Sequence, residues 1–349
     1  METTKQNSDL LGLPTLGTPI SSNNAKQIAL GQTLFFDKRL SVDGSISCAS
    51  CHRPEHAFSD AKKVSIGVAG RSGTRNAPSL LNAAFNDAQF WDGRRASLDA
   101  QALDPFLNRR EHGLTSPQHL LDKLHADPTY QSRFAVAFDI APAAIQIEHV
   151  GRAIAAFERT LIAGNSPFDR YQFQGEKSLL PGAERGLALF RGRAQCAGCH
   201  VINHSDALLT DNLFHSLGIG WQRIQQRVPG LTTRLAQARQ QNRSLDATVL
   251  SEEDLAELGR FAVTLNPLDI GKFRTPSLRN VALTAPYMHD GSVATLEQAV
   301  ELEVYYRSAT NGRPLILTPV EKADLIAFLN SLTSPQALTF GATRFNDLR

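Results

Sequence analysis

The chain has 349 residues, 42% of them hydrophobic, and a formal net charge of +2 at neutral pH. This length fits two domains of ordinary size, and the apolar content is sufficient for packed cores. The nearly balanced charge gives no basis for binding nucleic acid or an anionic membrane, and no apolar run in the sequence is long enough to cross a bilayer.

Two copies of one short motif, C-x-x-C-H, contain all four cysteines of the chain. In a c-type haem site two thiols bond to the vinyl groups of one haem, and the adjacent His binds the iron. A zinc half-site or a thiol redox pair would not require the His that follows both copies, and no cysteine is left over for a structural disulfide. The sequence therefore predicts two covalently bound c-type haems, attached through Cys48, Cys51, Cys196 and Cys199.

The beginning of the chain bears on localisation. Residues Met1 to Lys5 lack the apolar character of a signal-peptide core. Covalent haem is attached outside the cytoplasm in bacteria. We therefore expect a periplasmic protein in its mature form, with a signal removed and a start Met supplied.

The predicted elements are mainly helical, and strand signals are sparse. Ala25 to Phe36 has the apolar spacing of an amphipathic helix, residues 61–95 indicate an ordered loop, and Pro117 to Leu161 is helical after a start signal at Ser116. In the second half, further helices are predicted from Pro181, from a cap at Ser251 through Leu265, and from Pro319 to Leu332 after Thr318. The Gln- and Arg-rich residues 221–250 are interpreted as a solvated excursion rather than a site.

A weak internal repeat suggests one similar module for each haem. The five residues Gly31 to Phe35 and Gly186 to Phe190 share the pattern G-x-x-L-F, and each stands before a C-x-x-C-H motif. The segment 164–168 breaks the helical pattern. We predict an extension over residues 1–23 and two cytochrome c-like domains, residues 24–164 and 165–349.

Further motifs identify a family. The chain resembles the bacterial di-haem cytochrome c peroxidases and their relative MauG over roughly residues 24–335. Beyond the haem motifs, the similar segments are Arg75-Asn76-Ala77-Pro78-Ser79, Phe90-Trp91-Asp92-Gly93-Arg94, Phe273-Arg274-Thr275-Pro276-Ser277-Leu278-Arg279-Asn280 and Thr284-Ala285-Pro286-Tyr287-Met288-His289-Asp290-Gly291. The resemblance implies two cytochrome c domains with the active site and a calcium site at their interface.

The resemblance also implies roles for single residues. His52 and His200 correspond to the proximal ligands of the peroxidatic haem and the electron-transfer haem, called here the first and second haem. Trp91 corresponds to a tryptophan between the haems. Gln101, Glu111 and Pro105 correspond to distal residues of the first haem, where Glu111 would move a proton of hydrogen peroxide and Gln101 would stabilise the departing charge.

Three positions correspond to ligands of a calcium ion. The resemblance implies Asn76, Thr284 and Pro286, the last two through backbone carbonyls, and oxygen ligands are those that calcium prefers. His289 is expected near the second haem as a hydrogen-bond donor rather than an iron ligand. His112, His119, His125 and His149 are most simply surface residues, and His204 and His215 are either surface residues or partners of haem propionates.

Two departures from the peroxidase pattern carry information. Many family peroxidases have a blocking His in a Ser-Ile-Gly-His loop, whereas this loop ends in Val68. Valine cannot bind iron, so we expect an open first haem that needs no reductive activation.

The second departure concerns the sixth ligand of the second haem, for which the peroxidases use Met. The chain has only Met1 and Met288, and neither occupies that position. We expect Tyr305 to be the ligand, with Tyr306 or Glu303 as alternatives. An anionic oxygen ligand would lower the reduction potential relative to Met.

Two functions remain open at this point. In the first, a MauG-like enzyme uses hydrogen peroxide to oxidise an aromatic side chain of a partner protein. In the second, a cytochrome c peroxidase reduces hydrogen peroxide to water with electrons from a small cytochrome c or cupredoxin. A pure electron carrier would have no use for Gln101 and Glu111. The resemblance also implies a homodimer, since the family's peroxidases are often dimers.

Overall fold

Helices dominate the computed structural model, which describes residues 10–15, 22–310 and 314–340. This confirms the predicted mainly α-helical fold. The helices α1 to α17 are, in chain order, Ser22–Phe36, Cys48–Cys51, Leu98–Gln101, Asp104–Leu107, Pro117–His125, Pro128–Phe138, Ile147–Glu158, Pro167–Gln174, Pro181–Arg191, Trp221–Ile224, Val228–Gln240, Leu245–Val249, Glu253–Ala256, Phe261–Thr264, Leu296–Thr310, Pro319–Asn330 and Pro335–Thr339.

Short 3₁₀ turns and a two-stranded ribbon complete the described secondary structure. The turns are Lys38–Leu40, Pro54–His56, Val68–Gly70, Ala83–Phe85, Pro142–Ala144, Cys196–Gly198, Pro267–Asp269 and Val281–Leu283. Strands β1 (Phe214–His215) and β2 (Phe273–Arg274) pair antiparallel. Within the described ranges, no helix combines the length and the apolar character needed to cross a membrane.

Two predicted helix starts are confirmed by their caps. The Ser116 side chain accepts a hydrogen bond from the backbone N–H of His119 at the start of α5. Thr318 and Glu321 form a reciprocal capping box at the start of α16. In both helices a proline occupies the first turn, where its missing N–H costs no helical hydrogen bond.

The repeated glycine lies at equivalent helix crossings. A Cβ on Gly31 of α1 would lie 1.8 Å from the carbonyl oxygen of Ala153 on α7, and a Cβ on Gly186 of α9 would lie 2.0 Å from that of Asp324 on α16. Only glycine permits backbones to approach so closely. The sequence repeat therefore has a counterpart in the packing of two similar helix pairs.

Two hydrophobic cores organise these pairs. About half of the first core lies on α1 and α5 to α7, and about half of the second lies on α9, α15 and α16. The predicted boundary at residues 164–168 falls between them along the chain. However, Ala337 of α17 and Phe340 return to the first core, and Gly12 accepts hydrogen bonds from Ala207 and Arg279 beside the second. The domain limits therefore stay a prediction.

The prediction of a solvated excursion over residues 221–250 is only partly correct, because this mostly exposed segment also contributes to a buried core. Residues 221–264, called here the helical insertion, bury a core of their own, formed by Ile224, Leu231, Leu235, Val249, Leu255, Leu258, Phe261 and Ala262. The helix expected through Leu265 is interrupted, because Gly259 has φ +58° and bridges to Lys272. Its first part begins at Glu253 with Glu252 as N-cap, one residue after the predicted cap Ser251.

Candidate active site

The two histidines of the C-x-x-C-H motifs are oriented in the same way. His52 Nδ1 donates to the carbonyl oxygen of Phe58 at 3.0 Å, and His200 Nδ1 donates to that of Leu209 at 2.9 Å. A donor at Nδ1 leaves Nε2 as the nitrogen that can bind a metal. All four cysteines lie in the described part of the chain, and none forms a disulfide. Both motifs are therefore prepared to hold a haem.

A large cavity adjoins the second motif, and its walls fit a haem. His200 and the two motif cysteines line it together with apolar side chains such as Leu208, Leu217, Val300, Val304 and Leu329. The wall also includes Arg274, which is 7% exposed and whose Nε has no hydrogen-bond partner among the described residues. Burial lowers its pKa to about 10. A buried cation with an unused N–H suits a haem propionate.

The residues predicted to act on peroxide lie on α3, α4 and the turn after α4. Pro105 and Glu111 come together because the backbone N–H of His112 donates to the Pro105 carbonyl at 3.2 Å. Asn108 Nδ2 donates to Glu111 Oε1 at 2.6 Å. Gln101 ends α3, and its Oε1 is buried without a hydrogen-bond partner in the described structure. A buried acceptor of this kind is suited to a ligand.

The carboxyl group of Glu111 is poised to exchange protons near neutral pH. Burial raises its pKa to about 7, against the opposing charge of Arg94 and the hydrogen bond from Asn108, while Asp246 and Asp104 raise it further. A proton-transfer group is most effective when its pKa lies near the working pH. Glu111 has this property.

Val68 lies directly beside the Glu111 turn. Its backbone N–H donates to the Glu111 carbonyl at 2.9 Å, and its side chain is only 1% exposed. A Cβ on the neighbouring Gly67 would lie 2.0 Å from the Arg110 carbonyl oxygen, so the two loops are in close contact. An aliphatic side chain thus stands at the position where many of the family's peroxidases have the blocking His.

His112 is not a surface residue, and the expectation for it is wrong. It is 3% exposed and packs against Phe106 with ring centroids 4.8 Å apart. Burial lowers its pKa to about 4, so the imidazole is neutral at physiological pH. The sequence did not indicate this burial, because the polar neighbours Arg110 and Glu111 are typical of an exposed segment.

Trp91 bridges the first domain and the cavity of the second motif. The indole lines that cavity, and its Nε1 donates to the Asn76 carbonyl at 3.0 Å. The Trp91 carbonyl accepts from the backbone N–H of Arg274 at 2.8 Å. The predicted inter-haem tryptophan is thus held between both halves of the chain.

The three predicted calcium positions all line the cavity beside the second motif. Asn76, Thr284 and Pro286 all border the cavity beside Trp91. Asn76 Nδ2 donates to the Lys62 carbonyl at 2.9 Å, which directs its amide oxygen away from that contact. An amide oxygen and two backbone carbonyls are a donor set suited to calcium.

His289 also borders this cavity. It is 4% exposed, its ring stacks on Phe273 at 3.5 Å, and its Nε2 donates to Glu257 Oε2 at 2.8 Å. Arg223 binds the other oxygen of Glu257 at 2.6 Å. His289 therefore connects the helical insertion with the cavity wall.

The three candidates for the sixth ligand have different surroundings. Glu303 lines the cavity, on the same face of α15 as Ala299, Val300 and Val304. The Tyr305 side chain is 68% exposed, and the Tyr306 ring lies close to Gly218. Of the three, the carboxylate of Glu303 has the surroundings expected of a ligand.

Sequence reasoning missed an ion-pair cluster above the first site. Arg94 lies in the turn after Trp91, and its side chain is 3% exposed and binds Asp92 and Asp246. Arg95 binds Asp246 at 3.2 Å and Asp104 at 2.6 Å. Arg94 could have been noted from its place in the Trp91 motif, whereas nothing in the sequence distinguishes Asp246 from other acidic residues of the insertion.

Several known proteins are similar to this chain in sequence or in fold. Residues 25–178 match the family described as di-haem cytochrome c peroxidase. Cytochrome c peroxidase Ccp of Escherichia coli is 37% identical over 88% of this chain, which spans 58% of that protein's length. The methylamine utilization protein MauG of Methylorubrum extorquens is 34% identical over 90% of this chain and 80% of its own. The crystal structure of a MauG-like protein associated with microbial copper homeostasis has a TM-score of 0.73 at 32% identity, covering 96% of this chain and 95% of that chain.

Proposed function

Because the chain belongs to the family of di-haem cytochrome c peroxidases and MauG proteins, we propose that it is a MauG-like oxidoreductase. It reacts with hydrogen peroxide at the first haem and oxidises an aromatic side chain of a partner protein through Trp91 and the second haem. Each peroxide takes up two electrons from the partner and two protons, and yields two molecules of water.

The observation that carries this proposal is Val68. The family's reductively activated peroxidases have a His in this loop, which covers the first iron until the second haem is reduced. Here a buried aliphatic side chain stands beside Glu111. Peroxide can therefore enter the oxidised protein without a prior electron.

The bound haem supplies the redox chemistry, and the chain supplies proton transfer and orientation. Glu111 accepts a proton from peroxide and returns it to the departing oxygen, which its pKa of about 7 permits in both directions. Gln101 provides a polar contact to the charge that develops during cleavage. Trp91, which lines the cavity beside the second motif, would offer an oxidisable π-system for electron transfer.

One experiment tests the proposal. One equivalent of hydrogen peroxide is added to the fully oxidised holoprotein, and the visible and near-infrared spectra are followed. A rapid change with a near-infrared band, arising from charge shared between the haems, is expected. No reaction before one electron is supplied would overturn the open-pocket proposal and favour a reductively activated peroxidase.

The alternative is a cytochrome c peroxidase that takes electrons from a small cytochrome c or cupredoxin. Its support is the 37% identity to the E. coli peroxidase and the presence of Gln101, Glu111 and Trp91, which both functions use. Rapid steady-state peroxide reduction with such a reduced donor would favour it. A MauG-like enzyme would instead oxidise the donor slowly.

For the second haem, the surroundings of the three candidates support Glu303 as sixth ligand over Tyr305 and Tyr306. A carboxylate ligand would keep the potential low, as an enzyme that stores oxidising equivalents requires. Substitution Glu303→Gln should change the low-temperature magnetic spectrum of one haem only. An unchanged spectrum would exclude Glu303.

The remaining proposals concern calcium, localisation and assembly. Asn76 and the carbonyls of Thr284 and Pro286 would bind calcium between the domains. The protein would act in the periplasm, where c-type haems are attached. A homodimer is expected from the family's peroxidases, and sedimentation of the holoprotein as a monomer at micromolar concentration would contradict it.

A further inference from the structure

The helical insertion reaches across the molecule to the turn that carries Trp91. Arg75 Nη2 donates to the Ala256 carbonyl at 2.8 Å. Arg260 donates to the carbonyl of Gly93 at 2.8 Å, and Arg110 donates to the carbonyl of Ser251 at 2.7 Å. The insertion therefore forms one side of the first site.

Asp246 on α12 makes the ionic part of this contact. Its Oδ1 accepts from Arg94 Nε, and its Oδ2 accepts from Arg95 Nη2 at 3.2 Å. Arg94 is further fixed by Asp92 at 3.0 and 3.2 Å and by Phe90, whose ring centroid lies 3.4 Å from the guanidinium carbon. The Asp246 side chain is 13% exposed, so the interaction is weakly screened by solvent.

A second connection runs from Asp246 to the helix of the peroxide-binding residues. Arg95 binds both oxygens of Asp104 at 2.6 Å. Asp104 is the first residue of α4 and immediately precedes Pro105. A single carboxylate of the insertion thus holds two arginines, one beside Trp91 and one at the start of α4.

The charges that act on Glu111 come from this same group. Arg94 is the cation, Asp246 and Asp104 are the anions, and the Asn108 amide is the hydrogen-bond donor. Arg94 favours the charged carboxylate of Glu111, whereas Asp246 disfavours it directly and also neutralises part of the Arg94 charge. Both effects of Asp246 therefore raise the pKa of Glu111.

We propose that Asp246 is a positioning residue for the peroxide reaction, which holds Arg94 and Arg95 in place and sets the charge around Glu111. The proposal rests on the role of Glu111 proposed above. It assigns a functional contact to the insertion, which is otherwise remote in sequence from the first haem.

The test compares Asp246→Asn with the unsubstituted holoprotein. The rate of the peroxide-induced spectral change is measured between pH 5 and pH 9. Removal of the carboxylate leaves Arg94 less neutralised and so lowers the pKa of Glu111. The acidic limb of the profile, where the rate falls as Glu111 is protonated, should therefore move to lower pH by about half to one unit. At a pH on this limb, the rate of the Asn variant should be about threefold to tenfold higher than that of the unsubstituted protein. Asp246→Glu, which keeps the charge, should restore the original limb.

A matched control removes the same charge elsewhere on the insertion. Glu252 pairs with Arg234 at the surface, where both side chains are about half exposed, and Glu252→Gln should leave the limb unchanged. Asp246→Ser is a second charge-removing variant that should move the limb in the same direction if the Asn variant folds poorly.

The possible failures are distinguishable. In one outcome the acidic limb is present in the unsubstituted protein and absent in Glu111→Gln, but Asp246→Asn and Asp246→Ser leave it at the same pH. This outcome overturns the role of Asp246 and leaves the proposed function intact. Absence of any limb in the unsubstituted protein overturns the proton-transfer role of Glu111 and the inference with it. An equal shift in Glu252→Gln also overturns it, because the effect would then be one of general charge.

Discussion

Substitution Glu111→Gln is expected to remove proton transfer and leave the shape of the first site unchanged. Glutamine keeps the oxygen that accepts from Asn108 Nδ2 at 2.6 Å. General acid–base catalysis by a positioned side chain contributes about 10²- to 10⁴-fold to a rate. We therefore expect the peroxide reaction to slow by about two to four orders of magnitude.

The pH dependence gives the sharper result. With a pKa of about 7, half of the Glu111 carboxyl groups are ionised at that pH. Below it, the ionised fraction and hence the reaction rate of the unsubstituted protein should fall about tenfold per pH unit. The Gln variant should lack this limb. Stopped-flow spectra of the oxidised holoprotein, recorded between pH 5 and pH 9, measure both quantities.

A matched control uses the same substitution outside the site. Glu55 forms a partly exposed ion pair with Arg53 at 2.9 Å, three residues after His52. Glu55→Gln should leave the rate and its pH profile unchanged. Should Glu111→Gln react at the unsubstituted rate and keep the limb, another group transfers the proton and the assignment of Glu111 is wrong.

Three further predictions concern Trp91, Glu158 and calcium. Trp91→Phe removes the hydrogen bond to the Asn76 carbonyl, so unfolding should require about 1 kcal/mol less, and the near-infrared band should be lost while the initial reaction with peroxide persists; an undiminished band would show that the indole is dispensable. Burial raises the pKa of Glu158 to about 8, although Arg159 opposes it, and Glu158 Oε2 has no partner in the described structure. The neutral folded form therefore stabilises the protein fully below about pH 4.5, and this contribution is lost as pH rises towards 8. This loss amounts to a free energy of unfolding on the order of 4 kcal/mol, and Glu158→Gln should not show it. The melting temperature of the variant should therefore fall less than that of the unsubstituted protein between pH 5 and pH 8. An equal fall in both proteins would contradict this. If Asn76 and the carbonyls of Thr284 and Pro286 bind calcium, chelation should lower the melting temperature, by the equivalent of about 3 kcal/mol at a hundredfold excess over Kd, and re-addition of calcium but not magnesium should restore it.

Local chemistry made part of the structure predictable from the sequence. The C-x-x-C-H spacing, the Thr318 cap with Glu321 and the repeated glycines each express a constraint that acts within a few residues or at one helix crossing. The structure contains the Thr318 cap, to which Glu321 adds a reciprocal bond, and places both repeated glycines at helix crossings. Such signals are readable because the residue type and its spacing are themselves the constraint.

Long-range contacts were not predictable in this way. The partners Arg94 and Asp246 are 152 residues apart, and an isolated acidic residue in a polar helix has no periodicity that marks it as buried. The same reason explains the error for the helical insertion, whose apolar residues are few but meet in one core. The interruption of the helix at Gly259 involves a bridge to Lys272, which is formed only in the folded chain.

The contacts around Trp91 also bear on how peroxide reaches the first haem. Asp92, which follows Trp91, is fully buried and binds Arg75 at 2.7 Å and Arg94 at 3.0 Å. Although burial opposes ionisation, the two arginines lower the pKa of Asp92 to about 2, so the ion pairs persist over the whole physiological range. A rearrangement that moved this turn would expose or separate buried charges, which is costly. A pocket opened by such a movement would have to overcome this cost at each activation, whereas the open pocket proposed beside Val68 would not require the turn to move. The buried ion pairs of the Trp91 turn and the valine at position 68 therefore both support the proposal that the oxidised protein reacts with peroxide without rearrangement.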